Sequence, residues 1–162
     1  MGFVKLKDGT IITSDDDKLA FFDGKVIKRM QEIHNETGID ILDARKQCEN
    51  MLIANRKYKN KEDGYYILNL SGEGIMHART LTLDIDDVAS IAACSDGFYQ
   101  LVDCFHKYPN PESLFDTMEI TKLSDMRDEL FDMQDSDPVC NNYPRLKLRD
   151  DTCAIWAQII KK

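Results

Sequence analysis

The chain has 162 residues, with 21 Lys and Arg against 29 Asp and Glu, which gives a formal net charge of −8. This length predicts a single domain over residues 1–162, and a hydrophobic content of 43% is enough to build a core. No apolar run approaches the roughly 18–20 residues that cross a bilayer, so we expect no membrane association. The acidic balance repels a phosphate backbone, so we also expect no nucleic-acid partner. Mimicry of nucleic-acid charge is an alternative that rests on charge alone.

Cysteine usage favours a reducing compartment. The five cysteines are odd in number and widely spaced, and no Cys-x-x-Cys pair suggests a zinc site; they are Cys48, Cys94, Cys104, Cys140 and Cys153. We therefore expect structural thiols and a cytoplasmic protein.

The N-terminal region is predicted to form short antiparallel strands. Residues 3–7 and 10–13 flank Asp8-Gly9, which is a strong hairpin signal. After an acidic turn at 14–17, further strands are expected at 18–22 and 25–27, joined by a second turn at Asp23-Gly24.

Residues 40–54 have apolar positions three and four apart, which predicts an amphipathic helix. Four basic residues crowd its end: Arg56, Lys57, Lys59 and Lys61. They suit the negative pole of the helix as a solvated end, and contact with an acidic partner is the alternative.

The remaining pattern predicts an α+β fold with antiparallel sheet. Strands are expected at 65–68, 78–85 and 88–94, and the last of them is expected to be central. Helices are expected from Gly97 and over 112–133, the second in one or two pieces. A final strand is expected at 152–160.

Carboxylates stand at two predicted strand ends. Asp96 follows the apolar strand that ends at Cys94, and Asp150 and Asp151 directly precede the last strand. If the two strands are antiparallel neighbours, these carboxylates converge on one rim, where Mg²⁺ or Mn²⁺ would neutralise them. The alternatives are that Asp96 caps the helix beginning at Gly97 and that Asp150-Asp151 is a plain turn.

Several segments together resemble the metal-dependent protein phosphatase 2C family, in a bacterial branch. The run 88–99, which contains Ser95-Asp96-Gly97, is similar to the family's strand–Ser-Asp-Gly–helix signature. The run 149–156 resembles its closing Asp-Asp/Asn-x-Thr strand, with Cys153 where Thr is usual. Residues 14–21 resemble its Gly-Asp-Ser-Arg strand pair, with Asp16 in the Asp place. Residues 63–68 and 143–147 add to the likeness, so it extends from about Ile11 to Ile159.

The resemblance implies an antiparallel β-sandwich flanked by helices, with a dinuclear Mn²⁺ or Mg²⁺ site at one end. In such enzymes a metal-bridging water attacks phosphoserine or phosphothreonine directly. Asp96 and Asp150 would be metal ligands, and Asp16 a ligand to an accessory ion. Residues 109–138 would be the family's variable helical insert.

The likeness also implies a C-terminal portion of such a domain. The family's early acidic strand and the Asp-Gly motif that bridges its metals have no counterpart, because Asp8-Gly9 stands one strand before the acidic turn and is interpreted as a hairpin. Two functions follow as expectations. One is a phosphatase whose site is completed by another chain, and the other is a non-catalytic, phosphatase-derived binding or regulatory module. Because missing strands expose edges and apolar faces, we expect a homo-oligomer or a complementing chain, with a phosphoprotein or regulatory protein as partner.

Overall fold

The computed structural model describes residues 1–14 and 17–160, and the chain falls into two compact units. Unit 1 comprises Met1–Asp15, Leu83–Tyr143 and Lys147–Lys162, and unit 2 comprises Asp16–Thr82 and Pro144–Leu146. The helices found in the described ranges are α1 (Asp17–Thr37), α2 (Ile41–Gln47), α3 (Glu49–Asn55), α4 (Asp96–Asp103), α5 (Pro111–Ile120) and α6 (Leu123–Asp135).

Unit 1 is built on a four-stranded antiparallel sheet. Its strands are β1 (Gly2–Leu6), β2 (Ile11–Ser14), β3 (Val88–Cys94) and β4 (Ala154–Gln158), in the order β2-β1-β3-β4. The hairpin between β1 and β2 turns at Gly9, whose φ of 92° favours glycine. The predicted first hairpin, inner strand and closing strand are confirmed, and so is the α+β class.

Helices α4, α5 and α6 cover one face of this sheet. Phe3, Ala92 and Cys94 alternate toward that face and form a core with buried residues of the helices: Phe98, Leu101, Val102, Leu114, Phe115, Met118, Met126 and Leu130. Helix α5 begins with Pro111 after an Asn110 capping box, in which the Asn110 side chain accepts from the Ser113 amide at 2.9 Å. Glu119 joins α5 to the sheet by accepting from Lys5 at 2.6 Å and from Ser90 at 2.7 Å.

The opposite face of the sheet is also apolar, and much of it is exposed. Side chains alternate between the two faces along each strand, so the residues between those of the core point to this second face. They are Val4, Ile12, Ile91, Ala93, Ile155 and Ala157. Ile91 is 42% exposed and Ile155 is 63% exposed. We call these six residues the open sheet face. In residues 1–14 and 17–160 the structure contains this one sheet, not the two sheets that the resemblance implies.

The strands predicted at 18–22 and 25–27 are wrong, because this segment lies in the long helix α1. Phe22, Val26, Met30 and Ile33 recur every three or four residues and are buried in unit 2, which is the periodicity of a helix face. Gly24 lies within the helix, where a Cβ would meet nothing within 4 Å. The Asp23-Gly24 turn signal was therefore overridden by packing. The helix ends at Thr37, and Gly38 follows it with a φ of 75°.

The rest of unit 2 differs from the prediction in two further ways. The expected helix at 40–54 is two short helices, α2 and α3, which meet at the buried Cys48. The predicted strands at 65–68 and 78–85 are wrong: the first has a single bridge between Lys59 and Tyr65, and the second is irregular, with Leu81 and Ile85 exposed. Among the helices described, none has the length and apolar character needed to span a bilayer.

Candidate functional site

The two predicted strand ends lie side by side. Strands β3 and β4 are antiparallel neighbours, and Cys94 at the end of β3 pairs with Ala154 at the start of β4. The segment 95–97 therefore leaves the sheet beside the segment 150–153 that enters it. We call this pair of segments the strand-end rim, and it lies wholly within unit 1.

Ser95 holds the two segments of the rim together. Its hydroxyl donates to the Asp151 carbonyl oxygen at 2.7 Å and accepts from the Cys153 amide at 3.0 Å. Its own amide donates to the Cys153 carbonyl oxygen at 3.0 Å. The same side chain is the N-cap of α4, where it accepts from the Phe98 amide.

Gly97 allows the closest backbone approach at the rim. A Cβ at this position would lie 2.4 Å from the Asp151 carbonyl oxygen and 3.0 Å from the Thr152 hydroxyl. Glycine is therefore required here for space, and its φ is not positive. The Ser-Asp-Gly sequence thus has two structural uses at this rim, a cap and a close contact, on either side of Asp96.

Asp96 is the first residue of α4 and not its cap, because the cap is Ser95. The capping alternative for Asp96 is therefore wrong. Its side chain is exposed and takes part in no hydrogen bond or ion pair that involves residues 1–14 or 17–160. A carboxylate at the first turn of a helix is stabilised by the positive pole of the helix dipole, and it is available to an external group.

Asp150 has partners within its own segment. It accepts from Lys147 Nζ at 2.6 Å and from the Asp151 amide at 2.8 Å. Burial works to raise the pKa of Asp150, but these hydrogen bonds outweigh it and leave the pKa below its usual value. The carboxylate is thus ionised at neutral pH and is neutralised by an ammonium group.

A third carboxylate adds negative charge along α4. Asp103 lies two turns from Asp96 on the same side of the helix. Although the residue as a whole is exposed, desolvation of its carboxyl group, together with the charge of Asp96, raises the pKa of Asp103 to about 6. The like charges favour a cation near this end of unit 1.

The third predicted ligand, Asp16, lies outside the described residues. Within the described ranges, no group of three or more His, Cys, Asp or Glu side chains is placed to hold a metal ion. The rim therefore brings together the segments of Asp96 and Asp150, and both of these ligand assignments stay predictions.

The sequence placed Ser95 in the Ser-Asp-Gly signature, but its role as helix cap and as the link between the rim segments was not predicted. A serine three residues before a buried Phe98 is an N-cap signal, and it could have been found by extending the helix back to Asp96. Cys94, at the end of β3, is not a reactive nucleophile, because burial raises the pKa of its thiol to about 11. No disulfide joins any of the five cysteines, all of which lie in the described ranges, and Cys153 is exposed.

Comparison with models of known protein families, with curated proteins and with solved structures finds no match for this chain.

Proposed function

We propose that unit 1 is part of a phosphatase 2C-like catalytic domain that hydrolyses phosphoserine or phosphothreonine once another polypeptide segment completes its site. The observation that carries the proposal is the strand-end rim. There the Ser95-Asp96-Gly97 turn contacts the segment of Asp150 and Asp151 through the Ser95 hydroxyl at 2.7 Å. The Asp96 carboxylate beside this contact is exposed and has no protein partner in the described part of the chain.

The donors at the rim fit Mn²⁺ or Mg²⁺ in kind. Carboxylate oxygens are the ligands that these hard cations prefer, and Asp96 and Asp150 would supply them. They do not suffice in number, since the described residues hold no three-ligand group. A bound ion would supply an acidic water and neutralise phosphoryl oxygens. The remaining ligands would have to come from the completing segment.

The chain's own residues prepare the rim for such a ligand. Ser95 fixes the spacing of the two segments, and Gly97 lets them approach closely. Lys147 keeps Asp150 ionised by an ion pair at 2.6 Å, and it would have to release this carboxylate to any cation that binds there.

The open sheet face supports the need for a second segment. A sheet with one face on helices and an apolar opposite face is the arrangement of one half of a β-sandwich. We propose that a second apolar sheet, carried by another polypeptide segment, covers Ile91 and Ile155, which are 42% and 63% exposed.

A second candidate is a non-catalytic, phosphatase-derived binding or regulatory module. The ion pair between Lys147 and Asp150 favours it, because an ammonium group already neutralises the carboxylate that a metal would need. In this case the rim is a structural remnant, and the partner is a phosphoprotein or a regulator.

Calorimetric titration with Mn²⁺ separates the two candidates, with p-nitrophenyl phosphate turnover measured on the same samples. The proposal predicts saturable Mn²⁺ binding to the chain alone, which is weak because two carboxylates are an incomplete ligand set. Asp96→Asn should weaken this binding at least tenfold and abolish any turnover. Asp125→Asn is the matched control, because Asp125 is an exposed carboxylate in the first turn of α6, at the opposite end of this helix from Asp135, which pairs with Arg149. A folded chain that binds no Mn²⁺ would instead support the non-catalytic module.

A further inference from the structure

Unit 2 carries a concentrated positive charge on an otherwise acidic chain. Arg56, Lys57, Lys59 and Lys61 fall within six residues of a chain whose net charge is −8. We call residues 56–61 the basic loop. All four side chains are exposed, and none takes part in an ion pair or side-chain hydrogen bond in the described ranges. Cations elsewhere, such as Lys5, Lys107 and Arg149, are paired with carboxylates.

The backbone of the basic loop is held by hydrogen bonds across its base. The Asn60 amide donates to the Tyr65 carbonyl oxygen at 2.7 Å, and the Tyr65 amide donates to that of Tyr58 at 3.3 Å. The Asn60 side chain accepts from the Ile67 amide at 2.8 Å. Gly64 packs so closely on this turn that a Cβ would lie 1.9 Å from the Tyr58 carbonyl oxygen. A backbone ordered in this way loses little entropy when a ligand binds.

The loop is also anchored to α1. The ring of Tyr58 packs on that of Phe22 with centroids 5.1 Å apart, and the Asn55 side chain donates to the Phe22 carbonyl oxygen at 3.2 Å. Beside Tyr58 lies a depression of about 300 Å³, lined by Ala54, Lys57, Tyr58, Lys61 and Asp63. It has room for one side chain between two lysines and an aromatic ring.

The four cations of the basic loop are not explained by the partial negative charge at the C-terminal end of α3. The Arg56 amide already donates to the carbonyl oxygens of Ala54 and Leu52, and no basic side chain of the loop bonds to a described carbonyl. Lys59 and Lys61 lie beyond the short 3₁₀ helix Arg56–Tyr58, and the effect of a helix dipole falls off within one turn. The loop therefore presents positive charge that no part of the described chain uses.

We propose that the basic loop binds an acidic peptide segment of a partner protein. Carboxylates spaced along an extended peptide match cations spread over six residues, whereas Asp63 in the depression disfavours one compact anion there. A nucleic acid fits less well than such a peptide, because one phosphate at every nucleotide meets more repulsion from a chain of net charge −8 than carboxylates spaced along a peptide do. This inference goes beyond the proposed function and does not rest on it, since the loop belongs to unit 2 and the rim to unit 1.

The test measures binding of a fluorescein-labelled peptide, (Glu-Ser)₅, to the full chain by fluorescence anisotropy at 50 mM salt. We expect saturable binding that the uncharged peptide (Gln-Ser)₅ does not show and that weakens steeply as salt rises. The double variant Lys57→Glu, Lys61→Glu should weaken binding at least tenfold, and the neutral pair Lys57→Gln, Lys61→Gln by a smaller factor. All of these substitutions are at exposed positions, and a thermal melt checks the fold.

The matched control is Lys28→Glu with Lys122→Glu, which changes the net charge equally at exposed sites outside the loop. It should weaken binding less than twofold. An equal loss in both double variants would overturn the proposal, since it would show a response to net charge alone. Absence of binding to (Glu-Ser)₅, or tighter binding of a ten-nucleotide oligo(dT), would overturn it as well.

Discussion

At the scale of single residues, Ser95 is the side chain on which the strand-end rim depends. Its hydroxyl bonds the Asp151 carbonyl oxygen at 2.7 Å and the Cys153 amide at 3.0 Å, and it also caps α4. An N-cap contributes about 1 kcal/mol, and an ordinary hydrogen bond contributes a net of about 0.5–1.5 kcal/mol. Its hydroxyl therefore serves both the helix and the sheet.

Ser95→Ala should lower the free energy of unfolding by about 2–3 kcal/mol, because a cap and two cross-rim hydrogen bonds are lost together. Urea denaturation followed by circular dichroism measures the change. Ser124→Ala, at an exposed position of α6, should stay within about 0.5 kcal/mol of the parent. Equal stabilities for the two variants would show that Ser95 does not join the segments.

Lys147 controls the protonation of Asp150. The folded pKa of Asp150 lies below its usual value, so the ionised carboxylate stabilises the fold above its unfolded pKa. This contribution is lost as the pH falls through the folded pKa. In Lys147→Met the ammonium partner at 2.6 Å is gone while the burial remains, so the pKa of Asp150 should rise and the acid-side loss should begin at higher pH.

Carboxyl-carbon NMR titration measures this pKa directly. Lys28→Met is the control, because Lys28 lies on α1 in unit 2, and it should leave the Asp150 titration unchanged. An Asp150 pKa that is the same in Lys147→Met and in the parent would contradict the ion pair.

At the scale of elements, the sequence patterns in unit 1 were sufficient to predict the first hairpin, the inner strand β3 and the closing strand β4. An Asp-Gly pair between a short strand candidate at 3–7 and the β-branched run 10–13 predicted the first hairpin, and the apolar run 88–94 predicted β3. The neighbouring strand ends at Cys94 and Ala154 were expected from an antiparallel pairing of β3 with β4. The turn and the apolar run are local signals, and the neighbouring strand ends follow from the single pairing of β3 with β4. One sequence without relatives is therefore enough to predict them.

Unit 2 was not predicted correctly, because local turn signals there compete with packing. Asp23-Gly24 has the composition of a hairpin turn, yet Phe22 and Val26 on either side are buried on one face of α1. The strands expected at 65–68 and 78–85 have suitable side chains but no neighbouring strand among the described residues. The assignment of Asp16 as a ligand stays a prediction, because Asp16 lies outside the described residues. The ligands of the family's bridging motif have no counterpart in this sequence from which they could be predicted.

Gly24→Ala tests whether α1 is continuous. A Cβ at Gly24 meets nothing within 4 Å, and the position is helical, so alanine should stabilise the chain by about 0.5–1 kcal/mol. Gly38→Ala is the contrasting variant, because a φ of 75° strains any Cβ, and it should destabilise the chain by a similar amount. The change is measured by urea denaturation. Destabilisation by Gly24→Ala would indicate a turn at this position.

At the scale of the whole molecule, the open sheet face is the apolar surface through which we expect the chain to associate. Four strands about 4.8 Å apart, each of about five residues, present a face of roughly 300 Å². This is well below the roughly 800 Å² per partner of a standard interface, so the face alone supports only weak association. A completing segment must therefore make contacts beyond this face if it binds stably.

Without such a segment, copies of the chain should associate weakly through the open sheet face. We expect a concentration-dependent dimer at tens of micromolar in sedimentation velocity. Ile91→Lys with Ile155→Lys should shift the chain to monomer, because charges would be buried in the interface. The control Ile120→Lys changes an isoleucine that is 86% exposed at the end of α5, and it should leave the dimer intact. A parent chain that is monomeric at these concentrations would count against association.

Asp96 and Asp150, which lie at adjoining ends of the neighbouring strands β3 and β4, are proposed to receive one divalent cation. The most direct measurement adds substoichiometric Mn²⁺ to the ¹⁵N-labelled chain and follows paramagnetic broadening of amide signals. We predict that residues 95–97 and 150–152 broaden first and that Asp96→Asn removes this selectivity. Broadening that begins at the acidic helix α6, or that leaves both rim segments unaffected, would contradict the claim.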